Sequence, residues 1–371
     1  MICPAPLRSL RHLNPPLDMV RWPQTVLVCR VMVKTPWPPL FGKERKVNLV
    51  DKHDRAFPYL RLSITDICNF RCEYCLPDGY ICTTKPKFLT LDEIRRLVTA
   101  FAELGVWKIR LTGGEPSVRN DFSQIIGILS DTAGVNTTAF TTNGYRLRDN
   151  AQKWYDAGMR NLNVSIDSLD REIFHKITGH DRVNDVLEGL EKSLEIGYDS
   201  VKVNVVLLKG INDTALTDYK DYVRHRPVTV RFIELMQTGD NLAYFKKRHL
   251  SADVIRTKLL AQGWTPNIRT NGAGPAVNFT HPEYAGAIGL IAPYSKDFCA
   301  GCNRLRITAT GDLRLCLFGE TGIPLRDLLQ SDDQKEALQK RVMTQLDYKK
   351  SSHFLIQGET GLIPNLSATG G

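Results

Sequence analysis

The sequence predicts an α/β fold: an open, partial (β/α)6 barrel over residues 51–265, followed by a smaller C-terminal domain over residues 266–371. Three observations predict it. From residue 58 candidate strands alternate with stretches of helical periodicity, the pattern that builds a parallel sheet with crossover helices. The alternation gives six units, too few for a closed eight-stranded barrel. The unusual residues (cysteines, paired glycines, Ser/Asp/Asn clusters) directly follow the candidate strands, and chemistry in such folds gathers at the strands' C-terminal ends.

The candidate strands are "YLRLSI" (59–64), "KIRLTG" (108–113), "TTAFTT" (137–142), "NLNVSI" (161–166), "VKVNVVLL" (201–208) and "VTVRFIE" (228–234). Between the first two, "LDEIRRLVTAFAELG" places Ile94, Leu97, Val98, Phe101 and Leu104 at helical spacing and stops at Gly105, a C-cap signal. "REIFHKITG" (171–179) and "VNDVLEGLEKSLEIG" (183–197) likewise end in glycine. Past residue 240 the pattern loses regularity, which marks the second domain.

With 371 residues, 42% hydrophobic and 24% charged, the chain has the composition of a soluble protein. The longest apolar run, "TVLVCRVMV", is short and broken by Arg30, so no bilayer span and no membrane partner is expected. An odd count of nine cysteines in a chain this long argues against a disulfide framework and for a reducing, cytoplasmic setting. The net charge of +9 is unevenly spread: residues 1–50 contribute +6 and the other 321 residues only +3. The basic excess thus lies on a proline-rich leader and not on a folded face, so no nucleic-acid partner is expected. The leader reads either as a mitochondrial transit peptide, which would place the protein in the matrix, or as an over-extended start upstream of Met19 or Met32. Residues 1–50 are set aside from fold reasoning.

Three cysteines stand in "CNFRCEYC", where Cys68, Cys72 and Cys75 form C-x3-C-x2-C, with Cys82 further along the loop. A structural zinc site needs four protein ligands, and Cys82 is a weak fourth. A 4Fe-4S cluster held by three thiolates leaves one iron open. The place of this loop, after the first strand of a βα array, favours the cluster. Tyr74, between two of the cysteines, reads as loop packing on spacing alone. A second set, Cys299, Cys302 and Cys316, has the form C-x2-C-x13-C, again three thiolates; zinc completed by a distant His353 is the alternative. "NRLR" follows Cys302. On an extended segment Arg304 and Arg306 share a face, and paired guanidiniums beside a metal site suit a polyphosphate; the alternative is a solvated strand edge. "RLTGGEP" (110–116) supplies backbone that permits close approach. Ser165, Asp167, Lys202 and Met236 have ordinary readings when taken singly, as caps, surface charges or core.

Together, "RLSITDICNFRCEYC", "RLTGGEP", "TTNG", "SIDSLD", "RFIELM" and "CNRLRIT" resemble the molybdenum cofactor biosynthesis protein A family, radical S-adenosylmethionine GTP 3′,8-cyclases. The resemblance spans about residues 50–371; the first cysteine motif marks the wider superfamily, and the second with "NRLR" is more specific. It implies a partial triose-isomerase-type barrel whose mouth a C-terminal domain closes. It also implies two 4Fe-4S clusters, held by Cys68, Cys72 and Cys75 and by Cys299, Cys302 and Cys316, with S-adenosylmethionine on the first and the guanine of GTP on the second. The implied activity is that of a lyase: a 5′-deoxyadenosyl radical takes the 3′ hydrogen of GTP, and the ribose radical closes onto guanine C8. Matched by position, Tyr74, Gly114, Ser165 and Met236 are implied S-adenosylmethionine contacts. Arg61, Arg110, Thr141, Lys202, Arg304 and Arg306 are implied GTP contacts. The implied partners are an electron donor of reductase or flavodoxin type, a downstream cyclic pyranopterin monophosphate synthase and a second copy of the chain. The terminal Gly370 and Gly371 match a tail that enters the family's active site.

The sequence departs from the family in its leader, in Ile67 where a basic residue is common, and in Thr369 where an apolar one is. Cys3, Cys29 and Cys82 receive no role. Two rival readings remain at the level of sequence. A peptide-modifying radical enzyme would carry more C-terminal cysteines and no arginine pair. A zinc-stabilised RNA-binding protein would need a more basic folded surface than +3 provides.

Overall fold

A computed structural model of the chain describes residues 49–82, 87–268, 272–319 and 322–361. The leader with Cys3 and Cys29, and the tail with Thr369, Gly370 and Gly371, lie outside the described residues.

Six parallel strands come first: β1 (Tyr59–Thr65), β2 (Lys108–Gly113), β3 (Thr137–Thr142), β4 (Asn161–Ser165), β5 (Ser200–Leu207) and β6 (Thr229–Glu234). Each pairs with the next in chain order, and every one falls within a residue of its predicted range. Helices α1 (Leu91–Glu103), α2 (Phe122–Asp131), α3 (Leu147–Asp156), α4 (Arg171–Thr178), α5 (Val183–Ile196) and α6 (Leu216–Arg224) make the crossovers. The glycine stops behave as expected: Gly105, Gly179 and Gly197 all take positive φ, which costs a residue without Cβ little.

The strands alternate with period two. Leu60, Leu62, Ile109, Leu111, Val203, Val205 and Phe232 are buried in one hydrophobic cluster with helix residues such as Ile94, Phe101 and Leu190. The residues between them in sequence are polar or charged and point to the opposite face. A packed eight-stranded barrel fills its interior with branched apolar side chains; here the inner face is kept for something else.

No strand after β6 is foretold by the sequence, yet two more join the parallel array. β7 (Thr265–Pro266), β8 (Val277–Thr280) and β9 (Ala287–Ile291) follow, then β10 (Arg304–Ile307), β11 (Asp312–Arg314) and β12 (Ile323–Pro324). β9 runs parallel to β6, and β10 parallel to β1. Antiparallel β8 and β7 continue one edge, β11 and β12 the other. The strands of the expected C-terminal domain thus cover both edges that a six-stranded array would expose. At two to five residues they are too short for periodicity to register. The sheet ends at β12 and β7 without closing, as a partial barrel requires. Helices α7 (Leu242–Arg248), α8 (Asp253–Ala261) and α9 (Lys335–Leu346) complete the described elements longer than one turn. Among the described residues no helix is long and apolar enough to cross a membrane.

The start of α1 joins the two halves of the chain. Thr90 and Glu93 form a reciprocal cap, the Thr90 hydroxyl accepting from the Glu93 amide and the Glu93 carboxylate from the Thr90 amide. The same buried carboxylate accepts from Arg326 at 2.8 Å and from Gln330 at 3.1 Å. Burial pushes the Glu93 carboxyl up, but the Arg326, Thr90 and Gln330 bonds outweigh burial and bring it to about 2 from 4.5. A depressed folded pKa contributes stability that is complete above pH 4.5 and is lost as pH falls through about 2. Glu93→Ala is therefore expected to cost about 2 kcal/mol at neutral pH, read as a lowered urea midpoint. The gap between wild type and variant should narrow as pH is lowered below 4.5; a constant gap would contradict the ion-pair account.

Candidate active site

The polar inner face lines a cavity whose empty space, open mouth included, is about 1170 Å³. β1 contributes Tyr59 and Arg61, β2 Lys108 and Arg110, β3 Thr141, and β4 Asn163. Lys202 and Asn204 of β5, Arg231 of β6 and Met236 beyond it continue the wall. The C-terminal part closes it with Arg304, Arg306, Phe298, His353 and the three cysteines Cys299, Cys302 and Cys316. Strand register sets the order: Arg306, Arg61 and Arg110 stand abreast across β10, β1 and β2, and Arg304, Tyr59 and Lys108 form the neighbouring row. All six implied GTP contacts therefore meet in one cavity, with the second cysteine set.

Seven of the lining residues are arginine or lysine and none is Asp or Glu. The strain of this arrangement is visible in the ionisation of its members. Burial, then Arg231, Arg110 and Lys108, bring Lys202 down to about 7. Burial and Arg110 bring Arg231 to about 9; burial, Arg110 and Arg304 bring Arg61 to about 10, against the pull of Tyr59. Arg306 is also driven well below its usual value, by burial first and then by Arg61 and Arg304. Several buried polar atoms on the same walls have no hydrogen-bond partner among the described residues: Nε and Nη2 of Arg231, Oγ1 of Thr141, and Oδ1 of Asn163 and Asn204. Unpaired buried groups are costly and rare in native interiors. Their convergence with the cations describes a site shaped for a polyanion with further polar groups.

The first cysteine set lies on the loop after β1, outside the lining of this cavity. Cys68, Cys72 and Cys75 are half-buried. The loop is tied to the end of α4 by the Arg71 and Glu73 amides, which donate to Thr178 and Ile177. Phe70, stacked on His180 at 4.7 Å, anchors it to the core. Burial raises the Cys72 thiol well above its usual value, and the charges of Asp167, Cys75 and Cys68 add to this, which places all three thiols within one another's field. The Tyr74 hydroxyl donates to Asp167 at 2.8 Å, and the other Asp167 oxygen accepts from the Val206 amide. Burial pushes the Asp167 carboxyl up to about 6.

The glycine pair after β2 meets this loop backbone to backbone. At Gly113, with φ of 142°, a Cβ would lie 2.0 Å from the Thr65 carbonyl oxygen; at Gly114 it would lie 2.3 Å from that of Ile67. Buried Glu115 follows, its amide donating to Ile67 and its carboxylate accepting from the Thr142 hydroxyl and the Asn143 amide. Gly114, half-buried just past β2, therefore sits beside the loop that carries Tyr74; half-buried Ser165 ends β4, two residues before the Asp167 that Tyr74 bonds. Of the four implied S-adenosylmethionine contacts only Met236 also lines the cation-walled cavity.

The second cysteine set is held from behind. Buried Arg55, paired with Asp51 at 2.6 Å, donates to the carbonyls of Cys299, Lys350 and Ser351. Lys349, itself buried, donates to the Leu315 carbonyl. Burial raises the Cys302 thiol, but Lys349, Arg304 and Arg55 outweigh burial and bring it to about 7; thiolates are the metal-binding form. Among the described residues Cys68, Cys72, Cys299, Cys302 and Cys316 are in no disulfide, which leaves no disulfide knot joining the two sets. Cys299, Cys302, Cys316 and His353 all line the cavity, and among the described residues no three His, Cys, Asp or Glu side chains are grouped as a single-ion site. Three thiols around a common space, with charges that favour thiolate at Cys302, fit a cluster.

Sequence reasoning missed Tyr59, Lys108, Asn163, Asn204 and Arg231. The signal was present: the alternation that put Arg304 and Arg306 on one face applies equally to "KIR", "NLNV", "VKVN" and "TVRF". Arg55 acts across nearly 300 residues, and nothing local marks it or Lys349.

The comparisons with known proteins agree with this geometry. Residues 62–223 match the Radical SAM superfamily model and residues 228–355 the Molybdenum Cofactor Synthesis C model. The GTP 3′,8-cyclase of Tolumonas auensis is 54% identical over 90% of this chain and 99% of its own length. That of Stenotrophomonas maltophilia is 56% identical over 87% of this chain and 99% of its own. Among solved structures, Streptococcus suis SuiB bound to S-adenosylmethionine shares the fold, with a TM-score of 0.56 at 14% identity, over 78% of this chain and 69% of that one. Similar to these cyclases along almost their whole length, with the barrel and the C-terminal segment both matched, the chain belongs to the GTP 3′,8-cyclase family.

Proposed function

We propose that this chain converts GTP to (8S)-3′,8-cyclo-7,8-dihydroguanosine 5′-triphosphate, the first step of molybdenum cofactor biosynthesis. The observation that carries the reading is a single cavity in which seven cationic side chains face three cysteines. When bound, S-adenosylmethionine and a 4Fe-4S cluster on Cys68, Cys72 and Cys75 would supply the 5′-deoxyadenosyl radical that takes the 3′ hydrogen, and a second cluster on Cys299, Cys302 and Cys316 would bind the guanine.

The chain's own residues bind and orient. Arg61, Arg110, Arg304, Arg306 and Lys202, with Lys108 and Arg231, hold the triphosphate; guanidinium forks suit phosphate oxygens, and the low-dielectric walls strengthen each contact. Thr141, with Asn163 and Asn204, offers neutral polar atoms for the sugar. Fixing the triphosphate at one side and the base at the other restricts the ribose between them to one orientation, which is what a selective 3′ abstraction needs. Tyr74, Gly114, Ser165 and Met236 border the S-adenosylmethionine side. Met236 follows β6 and lines the cavity, so as an S-adenosylmethionine contact it would stand at the boundary between cofactor and substrate. The reading carries with it a one-electron donor of reductase or flavodoxin type, a downstream cyclic pyranopterin monophosphate synthase and a homodimer, each supported by the family resemblance alone.

The deciding experiment is anaerobic reconstitution, an iron count, and addition of dithionite, S-adenosylmethionine and GTP. About eight irons per chain, with GTP-dependent 5′-deoxyadenosine and a cyclised nucleotide, is expected. Four irons with cleavage indifferent to GTP would keep the radical chemistry and overturn the substrate. Cys72→Ala is expected to abolish S-adenosylmethionine cleavage, and retained cleavage would remove this loop from the reaction. Arg304→Ala and Arg231→Ala are each expected to weaken GTP binding by about tenfold or more, roughly 1.4 kcal/mol, without loss of iron from the N-terminal site; unchanged affinity would displace the triphosphate from this wall. Gly114→Ala must push back the Ile67 carbonyl. It is expected to remove S-adenosylmethionine binding while GTP affinity stays within about threefold of wild type, and calorimetry with each ligand separates the two.

A further inference from the structure

Tyr59 begins β1 and lines the cavity, 5% exposed, and no role described so far uses it. Its phenol oxygen accepts from Arg110 Nε at 2.6 Å. Lys108 Nζ lies 5.0 Å from the centre of its ring. Arg304 stands opposite it in register on β10, and Arg61 follows it on the same face of β1. Lys202 from β5 and Arg231 from β6 lie within its field. Every charged group facing Tyr59 is thus a cation, and among the described lining residues it is the one acid apart from the three thiols. Its hydrogen-bond partner is a donor, so a proton on the phenol would point among like charges.

We propose that Tyr59 is a positioning residue that serves as an internal counter-ion: as a phenolate it holds Arg110 and the neighbouring cations in place, and it yields them to an incoming triphosphate by taking up a proton. The inference rests on the reading of this cavity as the triphosphate site. The step is a simple exchange. One proton from solvent joins the phenolate oxygen, and the Arg110 guanidinium pairs with a phosphate oxygen in its place; nothing is oxidised or reduced.

The sign follows from the surroundings. Burial pushes the Tyr59 phenol up, but Arg110, Arg61 and Lys108 outweigh burial and bring it to about 7. A triphosphate that neutralises those cations removes the pull and restores the proton. Binding is then favoured below about pH 7 and weakens above it, by up to about tenfold per pH unit for this one proton. Lys202, also brought to about 7, takes up a proton in the same sense, so the Tyr59 share is read by difference.

The test is anaerobic titration calorimetry of the reconstituted enzyme with GTP, without S-adenosylmethionine, near pH 8 in two buffers of different ionisation enthalpy. Tyr59→Phe is expected to take up about one proton fewer than wild type; equal counts overturn the proposal. Because phenylalanine leaves Arg110 without its partner, wild type is also read directly with inorganic triphosphate, which has no ultraviolet chromophore. Its binding is expected to bleach the tyrosinate absorption at about pH 8 and to leave the spectrum unchanged at about pH 6. Binding with no change at the higher pH overturns the proposal while leaving the triphosphate reading intact. If neither GTP nor inorganic triphosphate binds wild type, the triphosphate reading falls and the proposal falls with it.

Discussion

Cations from five strands stand side by side in one cavity, and they repel one another. Two unit charges about 4 Å apart interact by roughly 4 kcal/mol at the effective dielectric of a protein surface, more where water is thinned out. Burial first, and this repulsion after it, lowers the pKa values of Arg61, Lys202, Arg231 and Arg306. What holds them together is the other face of the same strands. Leu60, Leu62, Leu111, Val203 and Phe232 are buried without remainder, at about 1.5–3 kcal/mol for each such side chain. The period-two geometry makes the two faces inseparable, so burying one set fixes the other. Stability lost on the inner face becomes selectivity there, because a polyanion relieves the strain and a neutral or cationic ligand does not.

The cavity exists only when the ends of the chain meet. β10 brings Arg304 and Arg306 to the free edge of β1, and β9 covers β6. Asp51 and Arg55 precede the first strand yet grip the carbonyls of Cys299, Lys350 and Ser351. Glu93 ties the first helix to Arg326. Apart from β9 on β6, these contacts span more than 230 residues of sequence, and each is buried or half-buried, where an ion pair with satisfied hydrogen bonds holds a geometry more firmly than at the surface. Substrate wall and cysteine set are thereby positioned by the same residues.

This also explains how much could be read without coordinates. β1 to β6 announce themselves because each carries five to eight residues of strand pattern among helical stretches, three of which stop at Gly105, Gly179 and Gly197. The cysteine loops and the Arg304/Arg306 pair were legible because spacing and strand period are local properties. Lys108 and Arg231 were equally legible by the alternation argument, but each looks like a lone surface charge until the strands are placed abreast. Tyr59 could not be found that way, since its role depends on Arg110 and Lys108 arriving from β2. β9 and β10 are short, and their strand character comes from the edges they cover, not from their own propensity. Arg55 is legible to no local rule.

The two cysteine sets sit in opposite fields, and this bears on which ligand goes where. Around Cys68, Cys72 and Cys75 the buried neighbours are the acids Asp167 and Glu115. Around Cys302 they are the cations Lys349, Arg304 and Arg55. S-adenosylmethionine carries a sulfonium and an ammonium, so its positive centres are favoured near the first set; a nucleoside triphosphate is favoured near the second. Exchanging the two would place cation against cation at one end and anion against acid at the other, a penalty of several kcal/mol at contact distances. Arg304 stands at the join, close enough to Cys302 to lower its thiol and in register with Tyr59 on the triphosphate wall. On the proposed reading the charge that steadies the second thiol set would also recruit the substrate, so a change at Arg304 would disturb both.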